Sequence, residues 1–124
     1  MFSNCAGVAQ LALPICGDGP RITCVVDGDT FWLEGEKIRI ADIDAPEVSE
    51  PRCRAEAKRG VQATERLAEL LGAGPIQLSR IGGRDRDQYG RLLRVVMVNG
   101  QSVGDQLVLE SLARTWTGSR EPWC

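Results

Sequence analysis

Histidine is absent from this 124-residue chain, which removes imidazole as base or metal ligand and excludes histidine-dependent catalytic triads. Lysine is nearly absent as well: Lys37 and Lys58 stand alone, and the other 13 of the 15 basic residues are arginine. Arginine brings a planar fork suited to two-point contact with phosphate or carboxylate, so position decides which arginines matter. Aromatics make up only 5%, leaving aliphatic side chains to fill the core. No apolar run approaches the roughly 20 residues that cross a bilayer. Residues 8–16, VAQLALPIC, lack the basic flank of an export signal and read at most as the border of one. The five cysteines, Cys5, Cys16, Cys24, Cys53 and Cys124, include no C-x-x-C pair, and without histidine a zinc site would need four scattered thiolates. One or two disulfides in an oxidising compartment, or small buried thiols in a reducing one, are the open alternatives. A Cys53–Cys124 bridge would clamp the end of the chain, although spacing alone does not assign it. The formal charge of −2 weighs against a non-specific sleeve around a polyanion.

What is present reads as one domain of short β segments and two helices. Residues 1–20 end in Gly17-Asp18-Gly19-Pro20 and read as a lead-in expected to be flexible. Arg21–Val26 and Asp29–Leu33 are β-prone runs around Asp27-Gly28, and a turn at Glu34-Gly35-Glu36-Lys37 leads to a third strand, Ile38–Ile43. Ala57, Val61, Thr64, Ala68 and Leu71 recur at helical spacing over 54–71, with Leu67 beside them. Gly60 weakens that helix and predicts close approach to a strand, and Gly72-Ala73-Gly74-Pro75 ends it. Strands follow at Ile76–Ile81 and Arg91–Val98 around the polar loop 82–90, and Ser102 with Asp105 caps a second helix. The order βββ-α-ββ-α predicts a mainly β fold with helices: a closed five-stranded barrel of oligonucleotide-binding type over 21–116, followed by a tail at 117–124. An open α+β sheet is the alternative.

The chemistry concentrates at one hairpin. A turn near Gly35-Glu36 sets the start of strand two beside the end of strand three, which makes Asp29 and Asp44 neighbours, with Asp27 and Asp42 close by. Four carboxylates at one hairpin end repel one another, and a hard cation held by carboxylates and a turn carbonyl near Ala45 is one remedy. Such an ion would polarise a phosphoryl oxygen. Glu47, on the fixed-φ corner after Pro46, is a candidate base toward water, or simply a surface glutamate. Arg39 lies in an otherwise apolar strand, so its guanidinium needs a partner, an ion pair across the sheet being the plainest, or an exit to solvent. With Arg91, which follows Tyr89-Gly90, it could clamp phosphoryl oxygens as charge builds. Residues 80–94 hold five arginines and two aspartates, a local +3 in an acidic chain that would steer a polyanion. Arg84 and Arg86 are candidate substrate contacts there, and Tyr89 either stacks on a base or covers the sheet edge.

Three stretches, VVDGDTFWL at 25–33, IRIADIDAPE at 38–47 and DQYGRLL at 87–93, resemble the staphylococcal-nuclease (thermonuclease) family. RAEAKRG at 54–60 and NGQSVGDQLVLESLAR at 99–114 support the resemblance, which covers about residues 21–116. It implies an oligonucleotide-binding barrel and calcium-dependent cleavage of single-stranded or locally open DNA and RNA that leaves 3′-phosphate ends. Mg²⁺ or Mn²⁺ would be alternative ions. By motif position Asp29, Asp44 and the Ala45 carbonyl would hold the metal, and Arg39 and Arg91 would contact phosphate. Glu47 would be the general base, Asp27 would support the turn, and Tyr89 would border the nucleotide. Three features depart from the family's secreted prototype: a short Pro51-Arg52-Cys53 loop, Trp116-Thr117-Gly118-Ser119 where stacking tyrosines would fall, and an acidic overall charge. The family and the cysteine count favour an extracellular or periplasmic setting. The competing expectations are a catalytically weak or inactive nucleic-acid-binding or protein-interaction barrel, and a purely structural cation site.

Overall fold

Two left-handed residues in succession, Glu34 at φ 50° and Gly35 at φ 86°, make the tight turn whose twist matches that of the flanking strands. Around it run β2 (Thr30–Leu33) and β3 (Glu36–Ile40), with Leu33 opposite Glu36 and Thr30 opposite Arg39. The preceding strand β1 (Cys24–Asp27) pairs antiparallel with β2, its register shifting between Val25 and Asp27. These coordinates are a computed structural model, which describes residues 12–124; Cys5 and residues 8–11 lie outside the described residues.

The third expected strand, Ile38–Ile43, is split. It leaves the sheet after Ile40 and resumes as β4 (Ile43–Asp44), which pairs with β8 (Arg114–Thr115) in a separate two-stranded ladder. Between the two pieces Ala41 N donates to Arg94 O and Asp42 O accepts from Trp116 N. The chain thus exchanges backbone partners in the main sheet for partners in the smaller ladder at this point.

Helix α1 (Arg54–Leu71) keeps its expected bounds, ending at Gly72, whose N–H reaches back to Ala68 O. Its buried face is Glu56, Gly60, Ala63, Thr64, Leu67, Ala68 and Leu71, rotated from the expected stripe so that Val61 is half exposed. A polar requirement turns the helix: Glu56 accepts from the backbone N–H groups of Glu47 and Arg52 and must face inward to do so. After α1 come β5 (Ile76–Arg80) and β6 (Leu92–Val98), paired antiparallel, then the Asn99-Gly100 turn and β7 (Gln101–Ser102). Helix α2 (Val103–Leu109) follows, its Ser102 Oγ accepting from Asp105 N at 3.1 Å as its capping sequence predicts.

The main sheet runs β1-β2-β3-β6-β5, with β7 added to β6. The β3–β6 pair is parallel and sets Arg39 opposite Leu93. The fold is mainly β with two helices, but the expected closed barrel is not formed: among the described residues no ladder joins β1 to β5. The free edge of β1 is taken by the N-terminal segment instead. Val25 N donates to Pro14 O, Val25 O accepts from Cys16 N, and a Cys16–Cys24 disulfide fastens the strap. Residues 13–16 of the expected flexible lead-in are therefore tied to the sheet, and Leu13 N also donates to Ala68 O. Phe31, Ile38, Ile40, Ile43, Leu67, Leu71, Val96 and Leu107 fill the core between sheet and helices; each such buried side chain contributes about 1.5–3 kcal/mol.

Candidate active site

The β2–β3 register carries the carboxylates to one place. Ile40 N donates to Asp29 O, and Ala45 N donates to Asp29 Oδ2 at 3.0 Å, so Asp29 and the Asp44-Ala45 corner are joined directly. Thr30 Oγ1 donates to Asp29 Oδ1 and fixes the carboxylate plane. Asp27 stands behind it, its Oδ1 accepting from Asp29 N at 3.2 Å. Burial, then the charge of Asp29, push the Asp27 carboxyl up to about 8. Gly28 lets the corner close, since a Cβ there would sit 2.8 Å from the Cβ atoms of both Ala45 and Ala63.

Asp44 is the polar group in the core with the fewest partners. It is 3% exposed, and neither of its carboxylate oxygens accepts a hydrogen bond among the described residues. Burial raises its pKa, opposed chiefly by the charge of Arg120. A buried carboxylate that accepts no hydrogen bond is costly unless a cation offsets it, and in this structure the nearest is the Arg120 guanidinium, 3.5 Å from Oδ1. Two carboxylates and one carbonyl are an oxygen set suited to Ca²⁺ or Mg²⁺, with water or substrate oxygens completing the shell. Asp29, Asp44 and Ala45 O fit such an ion, although among the described residues no three acidic or thiol side chains gather around one point.

Beside this corner is an open cleft of about 630 Å³. Asp27, Asp29, Arg39, Glu47, Arg84, Tyr89 and Arg91 all line it, although they come from the first hairpin, the corner after β4 and the 82–91 loop. Arg39 donates from Nη1 to Ile43 O at 2.8 Å and to Ile40 O, and lies 3.7 Å from Asp29 Oδ2. Its guanidinium also faces the Trp116 ring at 5.7 Å. The ion pair across the sheet and the cleft-facing position are thus one arrangement. Arg91 is held by Asp87, with Nε donating to Oδ2 at 2.6 Å and its backbone N to Oδ1. Tyr89 is three-quarters exposed beside the Arg91 guanidinium and covers no sheet edge. Arg86 is not brought to the cleft: it donates to Gly90 O and to the Glu36 carboxylate, closing the loop onto β3.

Glu47 is positioned from behind. Its backbone N donates to Glu56 Oε2 at 3.0 Å, and Gly60 admits its carbonyl, which a Cβ there would meet at 2.6 Å. The close approach that Gly60 predicts is therefore made, to the Glu47 corner and not to a strand. Glu56 had a legible signal: it is the third residue of α1, where a glutamate commonly reaches back to free N–H groups.

The sequence reading also missed Arg120. Its Nη1 donates to Glu47 Oε1 at 2.6 Å, and its Nη2 lies 3.4 Å from Ala45 O and 3.5 Å from Asp44 Oδ1. No spacing motif connects residue 120 to the first hairpin. The link is the Cys53–Cys124 disulfide, which returns the C-terminal segment to the start of α1.

A sheet-and-helix domain with a carboxylate corner facing two arginines matches a known class. The chain belongs to the staphylococcal nuclease homologue family, whose sequence profile it matches over residues 37–122. It is 40% identical over 93 residues to Endonuclease YncB of Bacillus subtilis, an alignment covering 72% of this chain and 44% of that protein. It is 31% identical over 96 residues both to a micrococcal nuclease of Shigella flexneri (74% and 49% covered) and to the succinoglycan biosynthesis protein ExoI of Rhizobium meliloti (75% and 46%). The chain thus spans less than half the length of each of these curated relatives.

Proposed function

We propose that this chain is a cation-dependent nuclease domain that hydrolyses phosphodiester bonds in single-stranded or locally open DNA and RNA. The observation that carries the reading is the convergence of Arg39, Arg91 and Glu47 on one open cleft directly above the buried Asp29–Asp44–Ala45 corner. Relatives named endonuclease and micrococcal nuclease support the same class of reaction.

Asp29, Asp44 and the Ala45 carbonyl would hold Ca²⁺, with Mg²⁺ or Mn²⁺ as alternatives. Bound there, the ion supplies Lewis-acid polarisation of a phosphoryl oxygen. Glu47 takes the proton of the attacking water, and the water oxygen bonds to phosphorus. The phosphorus–O5′ bond then breaks with its electron pair going to O5′, which takes a proton from solvent, leaving a 3′-phosphate and a 5′-hydroxyl. Arg39 and Arg91 donate to the non-bridging oxygens as negative charge accumulates, preorganised by the Ile43 carbonyl and by Asp87. Arg84 meets the flanking phosphates. Tyr89 and Trp116, on the cleft rim, offer faces on which unstacked bases rest, and so favour single strands. Arg86, spent on Glu36 and Gly90 O, would contribute charge to the approach and not contact.

The test is cleavage of single-stranded and duplex DNA and of RNA with added Ca²⁺ and with excess chelator, followed by end-group analysis. Calcium-dependent products with 3′-phosphate ends are expected; undiminished cleavage in chelator overturns the metal reading. A second reading, a nucleic-acid-binding or protein-interaction module of weak or no activity, is favoured by the Arg120–Glu47 ion pair, which engages the candidate base. Saturable binding without cleavage in any divalent ion would select it.

A further inference from the structure

Asp44 Oδ1, Ala45 O and Glu47 Oε1 converge on Arg120, within 3.5 Å of its guanidinium nitrogens. They are a buried carboxylate, a turn carbonyl and the candidate base. A guanidinium is a planar monovalent cation that suits carboxylates, and it stands here where the cation reading needs a divalent one. Its segment is held to the corner at several points. Strand β8 leaves the register position opposite Asp44. Trp123 lies over Arg114, 3.8 Å from guanidinium carbon to ring centroid, and Arg114 Nη1 donates to Pro122 O. Cys124 is bonded to Cys53, the residue immediately before α1. Three residues separate Arg120 from Cys124, so its guanidinium is at high effective concentration over the corner.

We propose that Arg120 is an intramolecular competitor for the cation, and that its strength is set by the Cys53–Cys124 disulfide. The inference rests on reading Asp44 and Ala45 as the cation cradle. A divalent ion entering the cradle displaces the guanidinium and releases Glu47 from its ion pair, so cation entry and availability of the base become one event. The displaced side chain has a place to go. Arg120 and Glu47 also border a cavity of about 270 Å³ whose other charged lining residues are Glu50, Arg52, Glu56 and Glu121, a net negative setting that accepts it. A dithiol reductant that takes two hydrogens' worth of reduction to the disulfide, leaving two cysteine thiols and itself becoming a disulfide, frees the segment and weakens the competitor.

The test is calorimetric titration of CaCl₂, without nucleic acid, into the full chain and its variants. Arg120→Gln is expected to lower the calcium Kd about 3- to 10-fold, the scale of a partly exposed charge pair in a three-oxygen setting. Cys53→Ser/Cys124→Ser is expected to shift it in the same direction, and to add little once Arg120 is Gln, because both changes act through one contact. Trp123→Ala loosens the same segment with the disulfide intact, and supplies the tether test if the cysteine variant does not fold. Asp44→Asn should remove the binding heat. Equal or weaker calcium binding by Arg120→Gln overturns the competitor while leaving the cradle standing. A tightened Arg120→Gln with unmoved tether variants overturns the role of the disulfide. Absence of binding heat from every chain overturns the cradle and the competitor together.

Discussion

At the scale of single residues, the site depends on side chains whose backbone setting leaves them little freedom. Arg39 is 12% exposed and donates to two carbonyls of the corner it serves. Arg39→Ala and Glu47→Ala are each expected to reduce turnover by about 10²- to 10⁴-fold, the range seen for loss of one transition-state donor or one acid–base group. Single-turnover cleavage rates at saturating Ca²⁺ check this. Gly60→Ala tests positioning. Alanine is the better helix former by about 1 kcal/mol, yet its Cβ would lie 2.6 Å from Glu47 O. The backbone of the candidate base must therefore move, and a net loss of about 1–3 kcal/mol is expected. Urea denaturation measures that loss, and cleavage should fall by more than the unfolded fraction explains. Asp27 gives a pH test. Its folded pKa, about 8, exceeds the ordinary value near 4, so folding favours its protonated form. That contribution is complete below about pH 4 and is lost as pH rises to about 8. In chelator, Asp27→Asn should flatten the decline in Tm over that window, because the amide oxygen still accepts from Asp29 N.

Elements determine whether those residues meet. The hairpin β2–β3 and the parallel β3–β6 pair set Arg39 opposite Leu93 near the start of β6, two residues beyond Arg91. The Glu56 carboxylate on α1 holds the 47–52 loop, and the backbone N–H groups of Arg52 and then Glu47 keep its pKa below the usual carboxylate value. The stability it gives is present above the ordinary value of about 4 and lost as pH falls through the lower folded one. Glu56→Gln should weaken the acid-side dependence of Tm and lower cleavage at neutral pH as the corner loosens. Most of this level is legible in the sequence, because turns and helix ends are local chemistry. Glu34-Gly35, Asn99-Gly100, the Ser102 cap and Gly72 mark their elements directly. The split of Ile38–Ile43 is not legible: Ala41 and Asp42 look like strand residues until Arg94 O and Trp116 N take their backbone groups. The rotation of α1 was hidden because a glutamate, not an aliphatic residue, sets its inward face. Arg120 was hidden for a third reason, since its partners lie more than 70 residues away and are reached through a covalent link.

At the scale of the whole molecule, two disulfides among the described residues stand where the small core has least reach. Cys53–Cys124 closes 71 residues, and chain entropy assigns such a loop about 4 kcal/mol of stabilisation. Cys53→Ser/Cys124→Ser should lower unfolding free energy by about 2–4 kcal/mol, read in chelator so that cation binding does not mask the loss. The other disulfide, Cys16–Cys24, spans only 8 residues, and its importance is of another kind. An open sheet presents rows of unpaired N–H and C=O groups at its margins, which other chains can extend. The strap at residues 14–16 occupies that margin along β1. At the opposite margin, β5 carries Gln77, Ser79 and Arg80 on its exposed positions, a polar face that discourages strand addition. The two margins are thus protected by different means, one covalent and one chemical. Cutting the Cys16–Cys24 bond should therefore show less in the melting temperature than in the tendency of copies to join edge to edge on storage.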